Sequence, residues 1–183
     1  MMVINLWGAP SSGKSTTAAG LFFLMKINKM RVELVTEFAK DLVWEGRENV
    51  FGEQSYIFAE QNHRLYRLNG QVDFAITDSP IPLPVFYMPK GYLSTFPSLV
   101  MEQFNCYDNV NILLRRPKDF EHHGRRHSEA QSLTLDRELE VFLNQNEIPH
   151  LVFDANPQTP QAIFDYIVSL LPDKVDMTLS VTE

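Results

Sequence analysis

The stretch VINLWGAPSSGKSTTAAGLFFL, residues 3–24, decides the fold of this chain. Gly8, Gly13, Lys14 and Ser15 have the order and spacing of the Walker A pattern, G-x-x-x-x-G-K-S/T. An apolar run that predicts a buried strand precedes the pattern, and helix-forming residues follow it, so the glycines fall on a strand-to-helix turn. In such a turn the backbone N–H groups point inward beside the positive end of the helix, which makes a binding site for phosphate groups.

The side chains of this turn predict a site for ATP and Mg²⁺. Lys14 would contact the outer phosphates of a triphosphate, and the Ser15 hydroxyl would hold the metal ion. The predicted donor-binding residues of the turn are Gly8, Ser11, Ser12, Gly13, Lys14, Ser15 and Thr16. The alternative, a glycine turn with a chance lysine, would leave the agreement of strand, glycines and helix unexplained.

Apolar and β-branched runs recur along the chain and alternate with segments of helical spacing. Strands are predicted over residues 3–7, 30–36, 74–77, 109–114 and 150–153. Helices are predicted over residues 15–29, 38–46, 54–68, 98–107, 128–146 and 159–171. This alternation predicts an α/β fold with a parallel five-stranded sheet flanked by helices. We expect one domain over residues 1–171, a tail over 172–183, and an extended surface loop over the proline-rich residues 80–97.

The bulk properties of the chain exclude several classes of protein. A net charge of −7 and a pI near 5.2 disfavour a constitutive nucleic-acid binder, although residues 115–127 form a local basic stretch. We found no apolar run long enough to cross a bilayer and no signal peptide, and Cys106 is the only cysteine. These features favour a cytosolic protein without disulfides and without a membrane partner.

From Val3 to about Leu171 the sequence resembles the small P-loop kinases that phosphorylate nucleosides and nucleotides. In deoxynucleoside kinases a glutamate at the end of the second strand is followed seven residues later by a tryptophan, and here LVTEFAKDLVW has Glu37 and Trp44. The same segment is similar to one in the bacterial nicotinamide riboside kinase domain. The resemblance implies that Glu37 is the catalytic base and that Asp41 belongs to the acceptor site.

Two further segments carry this resemblance. FAITDSP is similar to the acidic motif after the third strand in these kinases, which implies that Asp78 lies near Mg²⁺ and the acceptor. The sequence departs from the motif at Ser79, where those families usually have arginine. Their substrate-reading helix matches the one that contains Gln61 and Arg64, which implies that these two residues contact the acceptor.

The loop after NVNILL lies where these kinases carry a lid, and we predict an arginine-rich lid over about residues 115–128. Its arginines are Arg115, Arg116, Arg125 and Arg126. We expect Arg116 to bind the nucleotide and Arg125 and Arg126 to act in catalysis, because arginines neutralise charge in phosphoryl transfer. Three histidines in the same loop, His122, His123 and His127, lack the partners and spacing of a structural zinc site.

These residues together predict ATP- and Mg²⁺-dependent phosphoryl transfer to a nucleoside or nucleotide. An alcohol acceptor needs a carboxylate base and a phosphate acceptor does not, so Glu37 favours a hydroxyl. Plainer interpretations stay open at this stage: Asp78 as a turn residue, Glu37 as a helix-end charge, and Gln61 and Arg64 as a solvated helix face.

Other classes of function compete with a kinase of free nucleosides. Virus-encoded kinases that resemble this chain act on the hydroxymethyl group of a modified pyrimidine, such as 5-hydroxymethyluridine, in phage DNA hypermodification, which would imply a nucleic-acid substrate and the host cytoplasm. A nucleotide-gated binding module without kinase activity is another alternative. A GTPase would need Asn-Lys-x-Asp, and an AAA-type motor or helicase would need a longer chain and an acidic pair where Asp78 is followed by Ser79.

Overall fold

The structure is a computed structural model that describes residues 1–116 and 129–171, with backbone alone for 129–133. The strands in this part of the chain are β1 (Met2–Trp7), β2 (Val32–Val35), β3 (Phe74–Thr77), β4 (Asp108–Arg115) and β5 (Leu151–Asp154). The α-helices are α1 (Lys14–Ile27), α2 (Phe38–Trp44), α3 (Gln54–Tyr66), α4 (Leu83–Tyr87), α5 (Phe96–Asn105), α6 (Glu129–Gln145) and α7 (Thr159–Ser169). A short 3₁₀ helix covers Glu48–Gly52.

The five strands form one parallel sheet in the order β2-β3-β1-β4-β5. The central strand β1 pairs with β3 on one side and with β4 on the other. The predicted parallel five-stranded α/β architecture is therefore confirmed. Each crossover between strands passes through helices, as parallel pairing requires.

Alternate residues of β1 enter two different hydrophobic cores, one on each face of the sheet. Val3 and Trp7 pack with residues of α3, α4, α5 and α6, whereas Ile4 and Leu6 pack with residues of α1 and α7. All four side chains are at most 1% exposed. Because helices cover both faces, apolar side chains lie on both sides of the strand rather than on one side only.

Polar side chains fix β1 against β4 inside this sheet. The indole N–H of Trp7 donates to Oδ1 of Asn111 over 3.0 Å, and Nδ2 of Asn5 donates to Oδ1 of Asn109 over 2.9 Å. Bonds between buried side chains of this kind favour one register, because a shifted strand would leave polar groups unpaired. The turn that follows β1 is therefore attached to a rigid strand.

The prediction of an extended surface loop over residues 80–97 is wrong for its first part, whereas residues 88–95 form a mostly exposed loop without helix or strand. Residues 79–85 are buried, and Leu83–Tyr87 form the short helix α4. Leu83 and Val85 of this helix pack into the same core as Trp7. Prolines are tolerated in the first turn of a helix, where the backbone N–H has no partner within the helix, and Pro84 and Pro97 occupy such positions.

Two parts of the predicted domain organisation lie outside the described residues. These are the lid beyond residue 116 and the tail over 172–183. Within the described part of the chain, no helix is long and apolar enough to span a membrane.

Candidate active site

The strand order brings three predicted site residues to one edge of the sheet. The Walker A turn follows β1, Glu37 lies two residues beyond β2, and Asp78 directly follows β3. Because β2, β3 and β1 are neighbouring parallel strands, their carboxyl ends meet, which is where ligands bind in open α/β sheets.

The turn between β1 and α1 has the backbone conformation of a phosphate-binding loop. Gly13, at the start of α1, has φ +89°, and Ser11 has φ +67°, both in the left-handed region. Gly8 has no room for a side chain, since a Cβ there would lie 2.2 Å from Oγ of Ser12 and 3.0 Å from the carbonyl oxygen of Leu114. Glycine is therefore favoured at position 8 because a Cβ would clash, and at position 13 because of the left-handed backbone.

Lys14 folds back over this turn. Its Nζ donates to the carbonyl oxygens of Gly8 and Ala9 over 2.7 and 3.0 Å. Burial lowers the pKa of Lys14, and the nearby carboxylates of Glu37, Asp78 and Asp136 oppose that shift. The ammonium group therefore lies among acidic side chains at the mouth of the turn, where the phosphates of a bound nucleotide would compete for it.

Ser15 and Asp78 contact each other at the carboxyl edge of the sheet. The Ser15 hydroxyl donates to Oδ2 of Asp78 over 2.7 Å. The other oxygen, Oδ1, is buried, and it accepts no hydrogen bond from the described residues. A hydroxyl beside an unsatisfied carboxylate oxygen is a donor set that suits Mg²⁺, which prefers oxygen ligands and is held together with substrate phosphates. These two residues would hold the metal ion.

A cavity of about 250 Å³ opens next to this pair. It is lined by Ser15, Ala18, Leu34, Thr36, Glu37, Lys40, Asp41, Trp44 and Asp78. Burial raises the pKa of Glu37, Lys14 and Lys40 lower it, and Asp78 and Asp41 raise it further. The cavity thus places a carboxylate of increased basicity beside the predicted metal ligands, which is the arrangement that a general base needs.

Gln61 binds the backbone on both sides of Glu37. Its Oε1 accepts a hydrogen bond from the backbone N–H of Phe38 over 2.9 Å, and its Nε2 donates to the carbonyl of Thr36 and to Oγ1 of Thr77. The side chain is 1% exposed, and both ends of its amide bind the protein. The contact of Gln61 with the acceptor stays a prediction, and these bonds add a positioning role, in which Gln61 holds the turn around Glu37 against β3.

Arg64, a partly buried residue three positions further along α3, supports the same turn. It donates to the carbonyl and hydroxyl oxygens of Thr36 over 3.2 and 3.3 Å and forms an ion pair with Asp41. Its guanidinium also lies 5.2 Å from the centre of the Phe38 ring. Two of its partners, Thr36 and Asp41, line the cavity, whereas Arg64 itself does not. Arg64 therefore stabilises the cavity wall without facing the cavity.

A Gln61→Met variant tests this positioning role. Methionine fills a similar volume, but it leaves the Phe38 N–H without its acceptor, so we expect the free energy of unfolding to fall by about 1–3 kcal/mol. The exposed Gln71→Met is the matched control and should change stability by less than about 0.5 kcal/mol. Chemical denaturation measures both values, and equal stability of the two variants would contradict the role.

The lid arginines differ in what the structure shows of them. Arg115 forms an exposed ion pair with Glu140 over 3.1 Å. Arg116 instead lies against the Walker A turn, where its Nη2 donates to the carbonyl oxygen of Pro10 over 2.9 Å. Arg125 and Arg126 lie outside the described residues, as do the three histidines of the same loop.

The other residues of the predicted donor set lie in or directly after the turn. Ser12 is buried, and its hydroxyl has no hydrogen-bond partner among the described residues. Thr16 lies in the first turn of α1 and is exposed. Both therefore stand at the positive end of α1, where a phosphate group would be stabilised.

Four residues near the site escaped the sequence reasoning as site residues. Lys40 and the 80%-exposed Trp44 line the cavity, and the helical spacing of α2 from Glu37 was the signal that could have placed them. Tyr87 of α4 has its pKa raised to about 12, by burial and by the charge of Glu37. Asp136 of α6 accepts a hydrogen bond from the backbone N–H of Ala9, and no local pattern marks it.

The central parallel sheet and the glycine turn after β1 define the P-loop NTPase fold. A family model described as "AAA domain" matches residues 3–158, and the chain belongs to this family. Within this family, a motor or helicase is disfavoured because Asp78 is followed by Ser79 and not by a second acidic residue. A search of the curated proteins finds no match to this sequence.

Solved structures of deoxyadenosine kinase from M. mycoides share the fold. One, with the products dCMP and dCDP bound, has 18% sequence identity and a TM-score of 0.56. Another, with dATP bound, has 18% identity and a TM-score of 0.58. Each match covers 92% of this chain and 100% of the other. The likeness of fold therefore extends over most of the chain.

Proposed function

We propose that this protein is a kinase that transfers the terminal phosphoryl group of ATP to a hydroxyl group of a nucleoside. The observation that carries the proposal is that Glu37 lines the same cavity as Ser15 and Asp78, next to the Walker A turn. A site that only bound or hydrolysed a nucleotide would not need a cavity beside the metal ligands with a further, partly buried carboxylate.

Each part of the site has a task in this reaction. The backbone amides of the turn and Lys14 bind the donor phosphates, and Ser15 and Asp78 hold Mg²⁺, which neutralises phosphate charge when it is bound. Glu37 orients the acceptor hydroxyl and removes its proton as the new phosphate ester forms. Transfer of this kind depends mainly on alignment and charge neutralisation, so residues on rigid strand ends are well suited to it.

The charges of the cavity favour a hydroxyl over a phosphate as acceptor. Glu37, Asp41 and Asp78 contribute three carboxylates to its lining, against one lysine, Lys40. Asp41 is neutralised by Arg64 and Asp78 would face the metal ion, but Glu37 would still repel a second phosphate group. The two deoxyadenosine kinase structures, which contain deoxynucleotides, support a nucleoside as the molecule that carries the hydroxyl.

The proposal is tested by following the label from γ-labelled ATP in the presence of Mg²⁺. One set of reactions contains a panel of free nucleosides, and a second contains DNA with 5-hydroxymethylpyrimidines. We expect labelled nucleoside monophosphate from the first set. Label in the DNA alone would replace the acceptor by a base in DNA, and ATP binding without transfer to either would favour a nucleotide-gated binding module.

A further inference from the structure

An ion pair joins the end of β4 to helix α6 directly above the Walker A turn. Nε of Arg116 lies 3.6 Å from Oδ2 of Asp136, and the two side chains are 8% and 26% exposed. Nη2 of Arg116 donates to the carbonyl oxygen of Pro10 over 2.9 Å, and Oδ1 of Asp136 accepts from the N–H of Ala9 over 3.3 Å. One charged pair thus holds two consecutive residues of the turn, one through its N–H and the other through its carbonyl.

Asp136 uses its two oxygens for two different purposes. Oδ1 fixes the backbone of the turn, and Oδ2 faces the guanidinium of Arg116. Burial raises the pKa of Asp136, whereas Arg116, the Ala9 N–H and Lys14 favour its charged form. Replacement of the carboxylate would therefore affect the turn and the arginine through separate atoms, and the two effects can be separated by choice of side chain.

Resting on the proposed function, we infer that Asp136 is a positioning residue of the donor site, which sets the affinity for ATP by fixing Arg116 and the Ala9-Pro10 backbone in place. Arg116 is held with most of its surface buried, so it loses little conformational freedom when the triphosphate arrives. The amides further along the same turn are preorganised because Ala9 is bound to Asp136 of α6 and Pro10 is bound to Arg116 at the end of β4.

A second interpretation of the same contacts makes the opposite prediction. A carboxylate that occupied the phosphate position would compete with ATP, and its removal would tighten binding. The contacts of Lys14 disfavour this interpretation, since its Nζ donates to the carbonyls of Gly8 and Ala9 and thus lies on the turn itself. Asp136 instead binds the N–H of Ala9, which is not one of the predicted donor-binding residues of the turn.

The experiment compares Asp136→Asn, Asp136→Ala and the wild type by calorimetric titration with ATP and Mg²⁺. Asparagine keeps an acceptor for the Ala9 N–H but loses the charge that faces Arg116, so we expect the Kd for ATP to rise about tenfold. Alanine loses both contacts and should weaken binding further. Glu138→Gln, which neutralises an exposed carboxylate of the same helix, is the matched control and should bind ATP like the wild type.

Two readouts separate positioning from a merely structural role. The KM for the acceptor should change by less than about twofold in Asp136→Asn. The acceptor cavity lies at the ends of β2 and β3, whereas Arg116 follows β4. In an Arg116→Met background, Asp136→Asn should raise the Kd for ATP by less than about twofold further, because both substitutions remove the same Arg116–Asp136 ion pair. Equal increases in the KM for ATP and the KM for the acceptor in Asp136→Asn would overturn the inference. Additive effects of Arg116→Met and Asp136→Asn on the Kd, or tighter ATP binding by Asp136→Asn, would also overturn it.

The outcome for the wild type distinguishes this inference from the proposed function. Wild-type protein that transfers phosphate while Asp136→Asn binds ATP unchanged would overturn the inference alone. Wild-type protein that binds ATP without transfer would overturn the proposed kinase activity, and the Kd comparison would still decide the role of Asp136. Failure of the wild type to bind ATP would overturn both.

Discussion

Lys14→Ala is expected to reduce phosphoryl transfer by at least about 10²- to 10³-fold, the loss seen when one preorganised charge-stabilising group is removed. Lys14 is the cation closest to the backbone of the turn, with Nζ on the carbonyls of Gly8 and Ala9. Among the described residues, Lys40 is the one lysine that lines the cavity, and it lies on α2, on the acceptor side of the site. The release of label from γ-labelled ATP to the acceptor measures the effect.

The controls for this variant separate charge from packing. Lys14→Met keeps most of the aliphatic stem and should lose activity as strongly as alanine does. Lys26→Met removes a lysine from the exposed end of the same helix, where it pairs with Glu33, and should retain activity. Thermal unfolding should show that all three variants are folded. Wild-type activity in Lys14→Ala would show that the turn is not the donor site.

The fold could be predicted because its signals are local. Each strand is a short apolar run next to a helix-forming segment, and the glycine turn sets the position of the first crossover. Residues 80–87 of the proline-rich segment were mispredicted because their burial depends on distant partners. Leu83 and Val85 pack into a core that contains residues of α3, α5 and α6. The sequence of the segment itself does not predict those contacts.

The candidate site could be predicted where its residues directly follow strands. Lys14, Glu37 and Asp78 come together because the ends of β1, β2 and β3 are adjacent in the sheet. Gln61 and Asp136 lie on helices, and their contacts join residues 23 and 127 positions apart in the chain. Helical periodicity shows which face of a helix is apolar but not which polar residue of its flank meets another element. The function of these residues therefore had to come from the three-dimensional structure.

Glu37→Gln is expected to reduce transfer to a hydroxyl acceptor by about 10²- to 10⁴-fold, the usual contribution of a general base. The amide keeps the size of the side chain but cannot accept the proton. A nucleoside and its own monophosphate form the sharpest pair of acceptors, because a phosphate acceptor is already ionised. The weaker transfer to the monophosphate should not fall, because that acceptor needs no base and Gln removes the repelling charge, and equal losses with both acceptors would remove Glu37 as the base.

The pH dependence gives an independent test of the same residue. Burial raises the pKa of Glu37 above its ordinary value, and the charged or titratable groups that act with it are Lys14, Lys40, Asp41, Asp78 and Tyr87. Since the base works only when deprotonated, kcat/KM for the hydroxyl acceptor should rise with pH through this raised pKa. Because Gln does not titrate, the acid limb should be absent in Glu37→Gln, whereas Glu45→Gln, an exposed neutralisation at the end of α2, should keep it. An acid limb unchanged in Glu37→Gln would assign it to another group, and the raised pKa would then reflect burial without catalysis.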